Sequence, residues 1–462
     1  MFIAAMEMTV VSTAMPTVVA ELGGALHYSW VFSAYMLATT VTVPIYGKLA
    51  DLYGRKPVML VAMVIFLVAS VACGQARTMT MLIAFRALQG IGAGGLQPIA
   101  ITVVGDIFSV EERARMQGIF GAVWGVAGLV GPLVGGLIVS TLSWRWVFYI
   151  NVPFGIVAGV ILAFALVEDI EKKDHELDFL GAGVLSVGVI ALLVGVEGYA
   201  SWLLLPLSAI AFVGFVVVEL RAAEPLLPPR LFRRRIFAVA STIATIAGAA
   251  MIGLLTFLPL YAQGVLGVSP TAAGAAIAPM AIAWPAASAL SGRLLGRFGF
   301  RPLVRTGMAI LFVATLYLVW ILGHDPSTTT LKIAAAAFGA GMGLANTAIV
   351  ISVQTSVSFG ERGVATSSTM FFRSIGGTVG VGIMGAVLAH SLMRNPLMHG
   401  SEGSALIARI LGPERKQVPP ALLAAVAGDL EHGILLVAWL IVGLGVLALV
   451  AASFFPVVER KT

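Results

Sequence analysis

The chain has 462 residues, 59% hydrophobic and only 11% charged, where an ordinary soluble domain is about one quarter charged. Mean hydropathy is +1.00, and apolar runs recur from end to end, each long enough to cross a hydrocarbon core about 30 Å thick. This excludes a soluble globular fold and predicts an all-α membrane protein. The net charge of +6 is read as inner-loop Lys and Arg, not as a nucleic-acid surface, and the single cysteine, Cys73, excludes an intrachain disulfide.

Apolar windows bounded by charges, Gly/Pro turns or loops predict fourteen spans. The first six lie at 2–22, 28–49, 57–76, 79–106, 117–140 and 145–167. Two more lie at 179–199 and 201–219. The last six lie at 236–264, 271–295, 302–322, 329–353, 365–391 and 433–456. The first run lacks a basic leader and a small-x-small site, so no cleavable signal peptide is expected there. With the N-terminus inside, 19 of the 28 Lys and Arg fall in inner loops and span edges and 7 in outer ones, which places both termini in the cytoplasm.

The first span, "MFIAAMEMTVVSTAMPTVVAEL", carries Glu7 among apolar residues. At 1.5 Å per helical residue, Glu7 lies roughly 9 Å from Met1 and about 21 Å from Glu21. A carboxylate held there pairs with a cation or faces a wet cavity, and the alternative is a glutamate snorkelling to the inner headgroups. After span 2 comes "GKLADLYGRKP" (47–57), in which Gly47 and Gly54 permit a tight turn. Asp51, Arg55 and Lys56 supply charge to that turn. Asp106, at the inner end of span 4, and Arg373, in span 13, are candidate partners for them.

Span 4 contains "FRALQGIGAGG" (85–95), where Arg86 is a cation inside the membrane. Its insertion costs at least about 2.5 kcal/mol, so a burial partner or a wet cavity is expected, with a purely structural role bonding backbone carbonyls as the alternative. Span 5 contains "GAVWGVAGLVGPLVGG" (121–136), whose glycines at three- and four-residue spacing lie along one face for close helix packing. The outer segment 392–432 is long. "SALIARILG" and "PPALLAAVAGDLEHG" within it are expected to form two short amphipathic helices lying on the bundle, either gating the outer mouth or covering it passively. Glu197, at the end of span 7, is read as a loop-edge acid.

The chain repeats itself. At an offset of 245 residues, Gly47, Leu49, Gly54 and Pro57 meet Gly292, Leu294, Gly299 and Pro302. At an offset of 249, "GIGAG" (90–94) meets "GAGMG" (339–343), and Glu112-Arg113 meets Glu361-Arg362. The copies differ where Gly296 stands in place of Asp51. A six-helix bundle is therefore duplicated, with residues 1–167 and 236–462 as the two bundles and 168–235 as two inserted helices with their linkers. Duplicated halves are the architecture of secondary transporters, which bind substrate near the midplane.

These motifs together resemble the major facilitator superfamily over essentially the whole chain, and more narrowly its drug:proton antiporters with fourteen spanning helices. The resemblance implies that Glu7, followed by Thr9 and Pro16, matches the span 1 acid of that family, with Glu in place of the usual Asp. It links Arg86, with Gly90 four residues on, to proton transfer. It implies a conformational latch at Gly47, Asp51, Gly54, Arg55 and Lys56, with Asp106 and Arg373. It reads Gly131, Pro132, Gly135 and Gly136 as an exporter motif. "WRWVFYINVPFG" (144–155) and "FLPLYAQGVLGVSPTAAG" (257–274) look like markers of the fourteen-helix group. Tyr35, Trp124, Phe257, Tyr261 and Gln263 are candidate substrate contacts, with helix packing or lipid contact as the alternative for each.

The expected function is proton-coupled export of small amphipathic compounds across the cytoplasmic membrane by a monomer. Its partners are a small-molecule substrate, protons and membrane lipid, without cofactor, metal or nucleic acid. The alternatives are a dedicated exporter of one metabolite and a non-transporting sensor that keeps the carrier fold. No P-loop, metal-ligand cluster or nucleophile-base arrangement points to an enzyme.

Overall fold

A computed structural model of the chain describes residues 2–23, 28–168, 178–196, 198, 200–324, 326–395, 410, 415 and 417–457. Those residues are almost wholly helical, and no strand occurs among them. The first helices are α1 (Phe2–Leu22), α2 (Tyr28–Tyr53), α3 (Arg55–Gly74), α4 (Met79–Ile107) and α5 (Val110–Thr141). There follow α6 (Trp146–Tyr149), α7 (Asn151–Ala165), α8 (Phe179–Val196), α9 (Ser201–Glu219) and the short α10 (Pro229–Arg233). The rest are α11 (Arg235–Gly264), α12 (Pro270–Phe298), α13 (Phe300–Leu322), α14 (Thr328–Ser356), α15 (Arg362–Leu392) and α16 (Pro420–Ser453).

Among the described residues, 11 helices are long and apolar enough to cross a membrane. They are α3, α4, the α6–α7 pair, α8, α9 and α11 to α16. Helices α1, α2 and α5 coincide with further predicted windows and run for 21, 26 and 32 residues. One expectation fails. "PPALLAAVAGDLEHG" is no separate surface helix: it forms the first turns of α16, whose 34 residues run unbroken. The reason is local, since no proline or turn residue separates Gly433 from the apolar run after it. "SALIARILG", apart from Ile410, and Glu197 lie outside the described residues.

The chain forms two compact units, residues 1–241 with 349–372, and residues 242–348 with 373–462. In the first, one core joins Met15, Val18, Leu82, Trp144 and Phe148 between α1, α4 and α6, and a second joins Tyr46, Ala62, Phe66 and Leu96 between α2, α3 and α4.

The sequence repeat is also a repeat of packing register. A Cβ at Gly90 or Gly94 would strike the backbone carbonyls of Tyr35 and Thr39 on α2, and one at Gly92 would strike Ala62 and Phe66 on α3. In the second unit, a Cβ at Gly339 or Gly343 would strike the carbonyls of Met280 and Trp284 on α12, and one at Gly341 would strike Gly307 and Leu311 on α13. Every contacted residue differs from its counterpart by 245, the offset read in the sequence. Missing side chains let three backbones meet in van der Waals contact, which holds helices together where lipid supplies no hydrophobic drive.

The connecting turns repeat too. Gly54 has φ 95° and Gly299 φ 76°, so each link between consecutive long helices turns through a backbone conformation open to glycine. Ser109 caps α5 reciprocally with Glu112, and Ser358 makes the same capping box with Glu361, 249 residues later.

Candidate functional site

Glu7 lies on α1 with its side chain fully enclosed. Its Oε1 accepts from Arg86 Nη1 at 2.7 Å, and its Oε2 accepts from Asn151 Nδ2. The charge partner comes from α4 and the amide from the first residue of α7. Arg86 is 1% exposed and held from four sides. Its Nε donates to the Val31 carbonyl at 3.1 Å, and Nη1 also donates to Gln89 Oε1 at 2.6 Å. The Tyr35 ring lies under the guanidinium, 4.2 Å from its carbon. Gln89 is fixed in turn, its Nε2 donating to Ser70 Oγ at 2.7 Å and its Oε1 standing 3.8 Å from the Cys73 thiol.

Five helices, α1, α2, α3, α4 and α7, thus converge on one carboxylate–guanidinium pair. The glycines of α4 make this convergence possible, because they bring α2 and α3 onto the helix that carries Arg86. Both Glu7 carboxylate oxygens and Nε and Nη1 of Arg86 are engaged, which helps a buried pair offset its desolvation. Sequence reasoning named Glu7, Arg86 and Tyr35. It passed over Asn151, Gln89 and Ser70, although Asn151 sits in the "INVP" (150–153) of a segment that stood out as a subfamily marker, and Gln89 lies three residues beyond Arg86.

A second polar cluster lies where α2 and α4 end and α3 and α15 begin, inside the same compact unit. Arg55 Nε donates to Asp106 Oδ2 at 2.9 Å, and its Nη2 pairs with Asp51 Oδ1 at 2.9 Å and donates to the Phe359 carbonyl at 2.7 Å. Asp51 accepts from the backbone N–H groups of Gly363 and Val364 at 2.9 and 2.7 Å. Its negative charge therefore sits on the positive end of α15. Arg362 Nη1 meets Asp106 Oδ1 at 2.9 Å and the Gly105 carbonyl at 3.0 Å. Gly47 is packed against Ser367 and the Gly363 carbonyl, with no room for a Cβ.

Glu168 accepts from the N–H groups of Arg55 and Lys56, both at 2.9 Å. It supplies the cap that Gly54 cannot. The sequence named Asp51, Arg55 and Asp106 as one group, and the structure brings them together. Arg362 and Glu168 were not singled out; the Glu-Arg repeat was the signal for Arg362. Arg373 belongs to the other compact unit, where its Nη1 donates to Asn346 Oδ1 at 3.1 Å.

On α5, Gly131 and Gly135 are buried, and a Cβ at Gly135 would touch the Val10 carbonyl of α1. Gly128 and Gly136 face open space, so the glycine stripe is not one continuous packing face. Pro132 lies within the unbroken helix. Trp124 is 37% exposed. Phe257 and Tyr261 are buried between α11, α13 and α16, lining a small apolar void with Leu318 and Ile434. The Tyr261 hydroxyl reaches Glu431 at 3.5 Å, and the Gln263 carbonyl accepts from Arg415 at 2.8 Å.

A duplicated helical membrane protein with an enclosed Glu7–Arg86 pair in its first copy and a charge cluster beside the repeated turn defines a class of carriers. The model of the Major Facilitator Superfamily matches residues 1–381, and the chain belongs to that superfamily. It is a multi-pass membrane transporter of a small-molecule substrate, not an enzyme. It is 42% identical to a protein named "Multidrug transporter protein MdtP" of Bacillus subtilis, over 84% of this chain and 73% of that one. It is 35% identical to "Multidrug resistance protein 3" of the same organism, over 99% and 93%. The fold is shared with a solved proton:xylose symporter, XylE, at TM-score 0.64 and 12% identity, covering 99% of this chain and 94% of that one.

Proposed function

We propose that the protein is a proton-coupled antiporter that exports small amphipathic compounds across the plasma membrane. It does so as a monomer with fourteen spanning helices, two six-helix bundles flanking an inserted pair, and both termini in the cytoplasm. The observation that carries this reading is the enclosed Glu7–Arg86 pair, the kind of intramembrane charge that marks a proton or substrate path. The names of the two Bacillus relatives support the substrate class, and the Gly131-Pro132-x-x-Gly135-Gly136 motif supports the direction.

The mechanism follows from the pair. Ionised Glu7 neutralises Arg86. A proton on Glu7 leaves a buried guanidinium without its counter-ion, still held by Gln89, Val31 and Tyr35. That state is costly in a dry interior and relaxes when the site opens to water. A cationic substrate competes with the proton for the same carboxylate, so that loading one ejects the other. The Asp51–Arg55–Asp106–Arg362 cluster acts as the latch that holds one state of this cycle, and Arg373 is a further candidate in it.

Proton release from liposomes tests the reading. Purified protein is reconstituted with an acidic lumen reported by a pH dye, and a lipophilic cation, an anion and a neutral drug are added outside in turn. Wild type is expected to release protons when a transported compound is added, and Glu7→Gln is expected to release none. Equal release from both removes Glu7 from the mechanism. No release with any compound favours a dedicated exporter or a sensor.

A further inference from the structure

We propose that Asn151 is the positioning residue that holds Glu7 in both of its protonation states, its side-chain amide reversing as the proton arrives and leaves. The inference rests on the proton-carrier reading of Glu7. In the ionised state both carboxylate oxygens are taken, Oε1 by Arg86 and Oε2 by Asn151 Nδ2. A protonated carboxyl needs an acceptor for its new O–H. Arg86 offers none, because a guanidinium only donates. Gln89 Oε1 already accepts from Arg86. Tyr35 meets Arg86 with its ring face, and its hydroxyl makes no hydrogen bond to Glu7 among the described residues.

An asparagine amide carries a donor and an acceptor on one carbon, and Oδ1 of Asn151 receives no hydrogen bond among the described residues. A half-turn of the amide replaces N–H donating to carboxylate with C=O accepting from carboxylic acid. The proton adds to Oε2, the O–H bond forms there, and it donates to Asn151 Oδ1. No other atom changes partner. The titratable and charged groups facing Glu7 are Arg86 on α4, Tyr35 on α2 and Cys73 on α3; Arg86 only donates, Tyr35 meets Arg86 through its ring and Cys73 meets Gln89, and neither of the last two is hydrogen-bonded to the Glu7 carboxylate among the described residues.

The position of Asn151 serves this role. It is the first residue of α7, just after the interruption at Ile150, and only 2% exposed. A hydrogen bond to an ionised group is about twice as strong as one between neutral groups. Removing the amide therefore penalises the carboxylate more than the acid. The midpoint of Glu7 protonation is expected to rise.

The test is a pH titration of the carboxylic C=O infrared band in nanodiscs, assigned to Glu7 by its loss in Glu7→Gln. In Asn151→Leu the midpoint is expected to move to higher pH by about 1 unit or more, and the pH optimum of transport to move the same way. Asn151→Ser, whose hydroxyl also donates and accepts, is expected to return the midpoint towards wild type. Asn151→Ala gives the same reading as leucine should leucine fail to fold. An unchanged midpoint in the leucine or alanine variant overturns the role of Asn151 and leaves Glu7 as carrier. A wild-type spectrum with no band that Glu7→Gln removes overturns both.

Discussion

A carboxylate and a guanidinium share one enclosed site, and each is the main reason the other is tolerated there. Removing one partner leaves an uncompensated charge, which costs about 3–5 kcal/mol, while replacing both with apolar residues of similar size is often neutral or stabilising. Glu7→Met and Arg86→Met are therefore each expected to lower the thermal stability of the purified protein. The double variant is expected to be more stable than either. Unfolding followed by fluorescence in detergent checks this, and strictly additive losses would mean that the pair is not energetically coupled. The same logic separates Glu7 from Glu21, whose carboxylate meets Arg145 at 2.6 Å and Trp144 Nε1 at 2.7 Å but stays half exposed. Water screens that pair, and a surface pair contributes little.

At the scale of elements, the repeated glycine triplet decides how closely three helices approach. Gly92 and Gly341 have backbone, not flexible side chain, where a Cβ would go. Gly92→Ala and Gly341→Ala are expected to destabilise the protein by about 1–3 kcal/mol each, because neither neighbouring helix can yield without moving as a whole. Gly183 on α8 has nothing within 4 Å of the position a methyl group would take. Gly183→Ala is accordingly expected to be neutral or to stabilise by up to about 1 kcal/mol, through helix propensity. Thermal unfolding of the three variants side by side tests the contrast; equal effects would show that the close approaches carry no energy.

At the scale of the whole molecule, the charge cluster joins segments more than 250 residues apart in sequence. Asp106 has both oxygens committed, one to Arg55 and one to Arg362. A double-mutant cycle on Asp106→Ala and Arg362→Ala is expected to give a coupling energy of about 0.5–3 kcal/mol. A coupling near zero would mean that the two ends are held by helix packing alone. The copies have also diverged usefully. The turns and glycine contacts persist in both, but Ala335 stands where Arg86 would repeat, and Gly296 where Asp51 would. The packing frame is duplicated, and the Glu7–Arg86 pair belongs to the first copy.

Composition alone determined the membrane class, because an 11% charged chain cannot cover a soluble surface. Periodic apolar windows placed the helices, and the spacing of Gly47, Gly54 and their counterparts revealed the duplication without any structure. Glu7 and Arg86 were legible as well, since a charge inside an apolar run is conspicuous by its cost. What only the tertiary structure decided was the company they keep. Asn151, Gln89 and Ser70 are uncharged and ordinary in sequence, and nothing in their spacing says that α7 and α3 close around the pair. Arg362 and Glu168 were equally silent, because a surface-like charge gains its partner only when distant helix ends meet. The start of α16 departs from the sequence expectation for the same reason: a polar-faced helical turn looks alike whether it lies on a bundle or extends a buried helix, and the packing of Leu430 and Ile434 makes it the latter.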